Sequence, residues 1–175
     1  MYTLKPCFRS IVFGFSSSST CGEDGISIHV LRACFESIGE VLLHLLNSSI
    51  TQSDVPQPWK HSLVHPVLKS GDLSNPSNFL PISIVPVITK ILVRAVNQQL
   101  FSCLSENHFL SANQHGFRPY HSTETALVSI SDHILSASDH GEVSLFCLLD
   151  LSKCFDVVDH SKLLSKLQAH GINTS

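Results

Sequence analysis

Leu148-Leu149-Asp150-Leu151-Ser152-Lys153-Cys154-Phe155-Asp156-Val157-Val158-Asp159-His160 sets a carboxylate directly behind an apolar run and an aromatic ring five residues further on. The run Val143 to Leu149 is short, partly β-branched and entered through Gly141, so it reads as a buried strand. A carboxylate at the end of a buried strand is costly unless a cation or a hydrogen-bonding partner compensates it. Asp150 is therefore either a metal ligand or the start of a turn.

Outward from this stretch, the chain has 175 residues, of which 43% are apolar and 14% charged. That is one domain or a piece of a larger one, with enough apolar material for a core and too little charge for disorder. A net charge of −3 with 11 Lys and Arg excludes a broadly basic nucleic-acid binder, so any such role rests on local cations. The six cysteines form no CxxC pair and several lie in apolar runs, which fits free thiols in a reducing compartment. His61 and His65 lie four apart, but Pro66 makes that segment extended and no clustered partners join them, so no zinc site is expected. The sequence shows neither a signal peptide nor a membrane span, and an intracellular protein, nuclear or cytoplasmic, is expected.

Residues 1–22 carry Ser16-Ser17-Ser18-Ser19-Thr20 and read as a loose leader, with the domain proper at 23–175. From Ser27 a stripe of Ile28, Leu31, Cys34, Phe35, Ile38, Val41, Leu42, Leu45 and Leu46 predicts one long helix ended by Asn47-Ser48-Ser49. Leu63 to Lys69 reads as a strand with Pro66 marking an edge or a bulge, Ser70-Gly71-Asp72 as a turn, and Leu73 to Pro81 as loop. Pro86 opens a second helix with the stripe Ile88, Ile91, Leu92, Ala95, Val96, Leu100, Cys103 and Leu104. A third starts near Ser122-Thr123, either of which can cap it, and a short one, Ser161 to His170, closes on Gly171. The fold class is α+β or α/β, with α+β preferred.

Three polar clusters stand out: Lys69-Ser70-Gly71-Asp72, Gln114-His115-Gly116-Phe117-Arg118-Pro119, and Asp150 to His160. Each has a plain structural role open to it. Lys69 can be a solvated surface lysine, Arg118 can cap a loop carbonyl, Asp156 and Asp159 can cap the last helix, and Phe155 can be a core aromatic. Together they also fit nucleotidyl transfer. That chemistry needs cations on a triphosphate, which Lys69 and Arg118 can supply, and a carboxylate for Mg²⁺, which Asp150 can supply. It also needs a wall that reads the sugar, and Phe155 can exclude a ribose 2′-hydroxyl.

Pro58-Trp59-Lys60, Pro66-Val67-Leu68-Lys69-Ser70-Gly71-Asp72, Pro81-Ile82-Ser83, Gln114-His115-Gly116-Phe117-Arg118 and Leu149 to His160 follow one another in this order. On these motifs the chain, from about Thr20 to Ile172, resembles the reverse transcriptase of LINE-type (non-LTR) retrotransposons. The resemblance implies a right-hand polymerase fold, of which this chain holds the fingers and the first palm strand. It implies an RNA template, a DNA primer, two Mg²⁺ ions and no membrane. By position, Asp150 matches the first catalytic aspartate of the palm, with the Leu151 carbonyl a weaker metal ligand beside it. Phe155 matches the aromatic gate against ribonucleotides, and Lys69 and Arg118 lie in finger motifs that lean on nucleotide or template.

Two departures qualify the resemblance. Leu80 stands where the family has arginine before Pro-Ile-Ser, and the paired aspartates that complete the metal site are expected downstream of Ser175. Because two-metal catalysis clamps ions ~3.5–4 Å apart with several carboxylates, the isolated chain is expected to be marginally folded and inactive as a polymerase. The alternatives are a non-catalytic remnant that binds nucleic acid or protein, and a degenerate retrotransposon-derived product without a selected function.

Overall fold

The computed structural model describes residues 4, 7–151 and 154–172. They form two compact units, Met1–Asn107 and His108–Ser175. In the first, α1 (Phe8–Phe13), α2 (Ile28–Ala33), α3 (Phe35–Thr51) and α4 (Gln57–Lys60) precede a two-stranded sheet of β1 (Leu63–Leu68) and β2 (Phe79–Ile84), and α5 (Val87–Glu106) follows. The second contains α6 (Thr123–Asp139) and α7 (His160–Ala169). The chain thus mixes helices with a small antiparallel sheet, and among its described residues no helix is long and apolar enough to cross a membrane.

The first unit is organised by one core of Leu4, Phe8, Ile11, Val12, Ile28, Leu31, Leu46, Val87, Ile91, Leu92 and Ala95. Its N-terminal layer corrects the expectation of a loose leader. Phe8, Ile11 and Val12 fall at helical spacing, and burying that short stripe against the other helices holds α1 in place where its own six residues would not. Arg32 of α2 then satisfies carbonyls at the end of α1: its Nε donates to Val12 (3.2 Å), and Nη2 donates to Phe13 (3.0 Å) and to Phe15. The stripe from Ile28 to Leu46 also divides differently from the single helix expected. Ser27 caps α2 by accepting from the Val30 N–H, the chain breaks at Cys34, and α3 continues past Asn47 to Thr51. Asn47, expected to end the helix, instead accepts the Leu4 N–H at 3.0 Å through its side chain.

Gly22 lies against the start of α5. A Cβ there would sit 2.6 Å from both Cα and N of Pro86, so only glycine permits this approach. In the first turn of the same helix, the Thr89 hydroxyl donates to the Trp59 carbonyl at 2.8 Å and ties α4 to it.

The sheet corrects a further expectation, since Phe79 to Pro81, read as the end of a loop, begin strand β2. Its register pairs Leu63 with Ile84 and Leu68 with Phe79, which sets Pro66 opposite Pro81. Beyond the last pair the Lys69 N–H donates to the Asn78 carbonyl at 2.8 Å. Counting back in steps of two, 67/80, 65/82 and 63/84 are the hydrogen-bonded pairs, and Pro66/Pro81 is a non-hydrogen-bonded one. Neither missing proline N–H therefore costs a bond between β1 and β2, and two prolines are compatible with a strand pair.

The expected strand Val143 to Leu149 is not formed. Residues 142–151 follow an irregular path, with Val143, Leu145, Leu148 and Leu149 between 81% and 98% exposed. A strand is defined by a neighbour that takes its N–H and C=O groups, and no described segment supplies one here.

Candidate functional site

Lys69 sits at the mouth of the β1–β2 hairpin, in the first unit. The loop is built by short polar contacts. Gly71 takes φ +88°, and a Cβ there would meet the Asn78 amide nitrogen at 2.7 Å. Asn78 Nδ2 donates to the Asp72 carbonyl (2.9 Å), and Asp72 accepts from the Ser74 hydroxyl (2.5 Å) and N–H (3.1 Å). These bonds, the Ser74 hydroxyl above all, hold the exposed Asp72 carboxyl below its ordinary pKa. Lys69 is exposed and its ammonium makes no hydrogen bond or ion pair among the described residues. It shares a sheet face with Val67 and Leu80, so an alkyl side chain, 43% exposed, stands beside the lysine.

The second unit contains the other candidates. Arg118 serves its own loop: Nη1 donates to the carbonyls of Ser111 (2.8 Å) and Gln114 (3.3 Å). This is the loop-capping role open to it from the sequence, and these bonds leave Nη2 and Nε to other acceptors. Its neighbour Phe117, at φ +58° and 89% exposed, meets Phe155 edge-to-face with ring centroids 6.0 Å apart. Phe155 is itself 74% exposed, so the structure shows a surface aromatic pair in place of a core ring. The contact joins the Gln114–Pro119 loop to the segment that follows Asp150.

Behind that loop, Ser122 caps α6. Its hydroxyl accepts the Thr125 N–H (3.3 Å), while the Thr125 hydroxyl accepts the Ser122 N–H (2.9 Å), a reciprocal capping box. His115 Nδ1 reaches the same Thr125 hydroxyl at 2.9 Å, coupling the loop to the helix start. Ser122 also lowers the pKa of Glu124 through a side-chain hydrogen bond. The His115–Thr125 link was not read from the sequence, although a Ser-x-x-Thr spacing behind a histidine loop is the signal for it.

Asp150 lies in the exposed irregular segment between Leu149 (89% exposed) and Leu151 (74%) and makes no hydrogen bond or ion pair among the described residues. Ser152 and Lys153 of the same motif lie outside the described residues. Asp159 has the capping role open to it, accepting the Lys162 N–H at 3.1 Å at the start of α7. Asp156 is exposed. No group of three His, Cys, Asp or Glu side chains able to hold a metal occurs among the described residues.

The Gln114–Pro119 loop, the Phe117–Phe155 pair and the acidic motif occupy a segment that matches a known family. Residues 67–175 match the family described as reverse transcriptase (RNA-dependent DNA polymerase). The chain belongs to the reverse transcriptase family. Within it, the chain resembles the polymerases of non-LTR retrotransposons. It is 29% identical over 176 residues to the retrovirus-related Pol polyprotein from the type-1 retrotransposable element R2 of Popillia japonica, covering 98% of this chain and 23% of that protein. It is 29% identical over 125 residues to the probable RNA-directed DNA polymerase from transposon BS of Drosophila melanogaster, covering 71% of this chain and 14% of the relative. To the RNA-directed DNA polymerase from mobile element jockey of the same fly it is 27% identical over 146 residues, 83% of this chain and 16% of the relative. The chain spans less than a quarter of the length of each.

Proposed function

We propose that this chain supplies the fingers and the first palm segment of an RNA-directed DNA polymerase of the non-LTR retrotransposon kind, in a right-hand polymerase fold that takes in residues 23–175. The observation that supports this best is that the family match contains Lys69, Arg118, Asp150, Leu151 and Phe155 within one segment. Lys69 and the free donors of Arg118 contact the triphosphate or template, and Phe155, backed by Phe117, stands against the sugar 2′-position. The template is RNA and the primer DNA, inside the cell, in nucleus or cytoplasm.

Asp150 fits a Mg²⁺ ligand in one respect: its carboxylate is exposed and unpartnered among the described residues. The Leu151 carbonyl is the second oxygen the chain offers. Mg²⁺ takes one or two carboxylates together with substrate oxygens, so this donor set suits a weak site completed by nucleotide phosphate. A bound metal would there screen the charge of the triphosphate. Two-metal transfer requires further carboxylates, and Asp150 belongs to no metal-holding group of three His, Cys, Asp or Glu side chains among the described residues.

The purified 175-residue chain is accordingly expected to bind an RNA–DNA primer duplex weakly and to extend it undetectably with Mg²⁺ or Mn²⁺. Binding is expected to weaken steeply with salt, and less steeply in Lys69→Ala or Arg118→Ala, each of which removes about one phosphate contact. Primer extension that disappears in Asp150→Asn would overturn the inactivity of the isolated chain. Salt dependence unchanged in both lysine and arginine variants would remove those residues from the interface.

A further inference from the structure

We propose that a cavity in the first unit, about 490 Å³ in volume and lined by Trp59, Leu31, Leu42, Ile88, Glu23 and Asp24 among others, binds an arginine or lysine side chain presented by a basic peptide. All of its lining residues except Pro86 and Ile88 precede the segment matched to the family, and the site is separate from the proposed polymerase residues. Its size lies in the range of small-ligand pockets.

The chemistry of the lining selects the ligand. Leu31, Leu42, Ile88 and Pro86 give an apolar wall for a stem of three or four methylenes. Trp59 supplies the ring best suited to hold a guanidinium or ammonium over its face. Glu23 and Asp24 supply two carboxylates, and no lysine or arginine lines the cavity to neutralise them. The Glu23 side chain has no hydrogen-bond or ionic partner among the described residues, and Asp24 is used only by the Ile26 N–H at 3.2 Å. Both retain acceptor capacity for charge-assisted bonds. A nucleobase would also stack on Trp59, but its phosphates would meet two acids without a compensating cation, so the lining favours a basic peptide over a nucleic acid strand.

The walls are fixed before any ligand arrives. The Gly22–Pro86 backbone contact holds the acidic segment against the start of α5, the Gly25 N–H donates to the Gly22 carbonyl (3.1 Å), and Thr89 anchors the Trp59 carbonyl. Ordering costs on binding therefore fall mainly on the ligand.

Trp59 is the sole tryptophan of the chain, so its emission reports this cavity alone. Titration with acetyl-Gly-Arg-Gly-amide is expected to change that emission saturably. The same peptide with norleucine for arginine keeps the stem, loses the charge and is expected to bind at least roughly fivefold more weakly, as is the arginine peptide to a Glu23→Gln/Asp24→Asn variant. Both residues are exposed, and asparagine preserves an acceptor for the Ile26 N–H, so this variant is expected to keep the wild-type circular dichroism. Raising salt from about 50 to about 300 mM is expected to weaken binding in the wild type and to matter little in the variant. Equal binding by the norleucine peptide, undiminished binding by the variant, or a tighter response to oligouridylate would overturn the site. Free agmatine binding as tightly as the peptide would overturn the assignment to a peptide.

Discussion

Residues 4–107 and 108–172 differ in a way their sequences do not suggest. Both carry amphipathic helices of similar length, yet every buried apolar residue of the core lies in the first region, and none of the described residues of the second is buried. The helix α5 enters the core with Val87, Ile91, Leu92 and Ala95, whereas α6 has no buried residue and leaves Leu127 and Leu135 more than 60% exposed. The motifs that mark the family are divided between the two: those at 58–60, 66–72 and 81–83 lie in the first region, and those at 114–118 and 149–160 lie in the region without a core. Arg118, Asp150 and Phe155 thus stand on a part of the chain without a core of its own: Ala126, Ile130 and Ile134 of α6 line one open cavity with Leu145 and Phe146, and none of these residues is buried.

The widest test of this contrast is mutational. Leu46→Ala or Ile91→Ala is expected to cost about 2–5 kcal/mol, whereas Leu145→Ala, at a residue 96% exposed, is expected to stay within about 0.5 kcal/mol. Urea unfolding followed by Trp59 emission for the first pair and by circular dichroism for the third decides it; comparable costs would break the distinction. Gly22→Ala should cost about 1–3 kcal/mol, because its Cβ collides with the Pro86 backbone and not with a side chain that can move. The same urea series measures it, and a neutral result would mean that the 22–86 contact is not held in solution.

In the second region the stabilising devices are local, so smaller effects are expected. Ser122→Ala removes one half of the capping box and should cost about 1 kcal/mol of helix stability, read as lost hydrogen-exchange protection in the first turn of α6. The smallest effect is electrostatic and lies in the hairpin loop of the first region. The folded-state pKa of Asp72 lies below its unfolded value, so its stabilisation is complete above the ordinary carboxylate range and is lost as pH falls through the lowered value. Ser74→Ala should raise the Asp72 titration midpoint in carboxyl-detected NMR, and an unmoved midpoint would remove the hairpin loop's main polar contact.

Much of the helical skeleton was legible. The stripe Ile88, Ile91, Leu92, Ala95 marks α5 and its buried face, and Ser122, Asp159 and Gly171 were readable as end signals because capping is decided within three or four residues. The misses are places where distant partners decide. Helix α1 is too short to announce itself and exists through contacts with residues far along the chain. Strand β2 was masked by Pro81, whose acceptability depends on the register with β1. The run 143–149 has the composition of a strand, but composition supplies no partner. At the site, the two uses of Arg118 were both visible, and only geometry showed that Nη1 is committed to Ser111 and Gln114. The proximity of Phe117 and Phe155 could not be read from residues 38 positions apart in sequence.

The facing prolines of the hairpin have a bearing on solubility. At a non-hydrogen-bonded pair the backbone groups of both residues point away from the partner strand, so Pro66 and Pro81 leave a donor gap halfway along each outer edge of the ribbon. An incoming strand on either side would meet a missing N–H at the same level. With Leu63, Val64, Val67 and Ile82 all more than 40% exposed, this ribbon has the composition of an aggregation seed. Its two prolines direct it toward being covered across its faces and away from growing into a larger sheet.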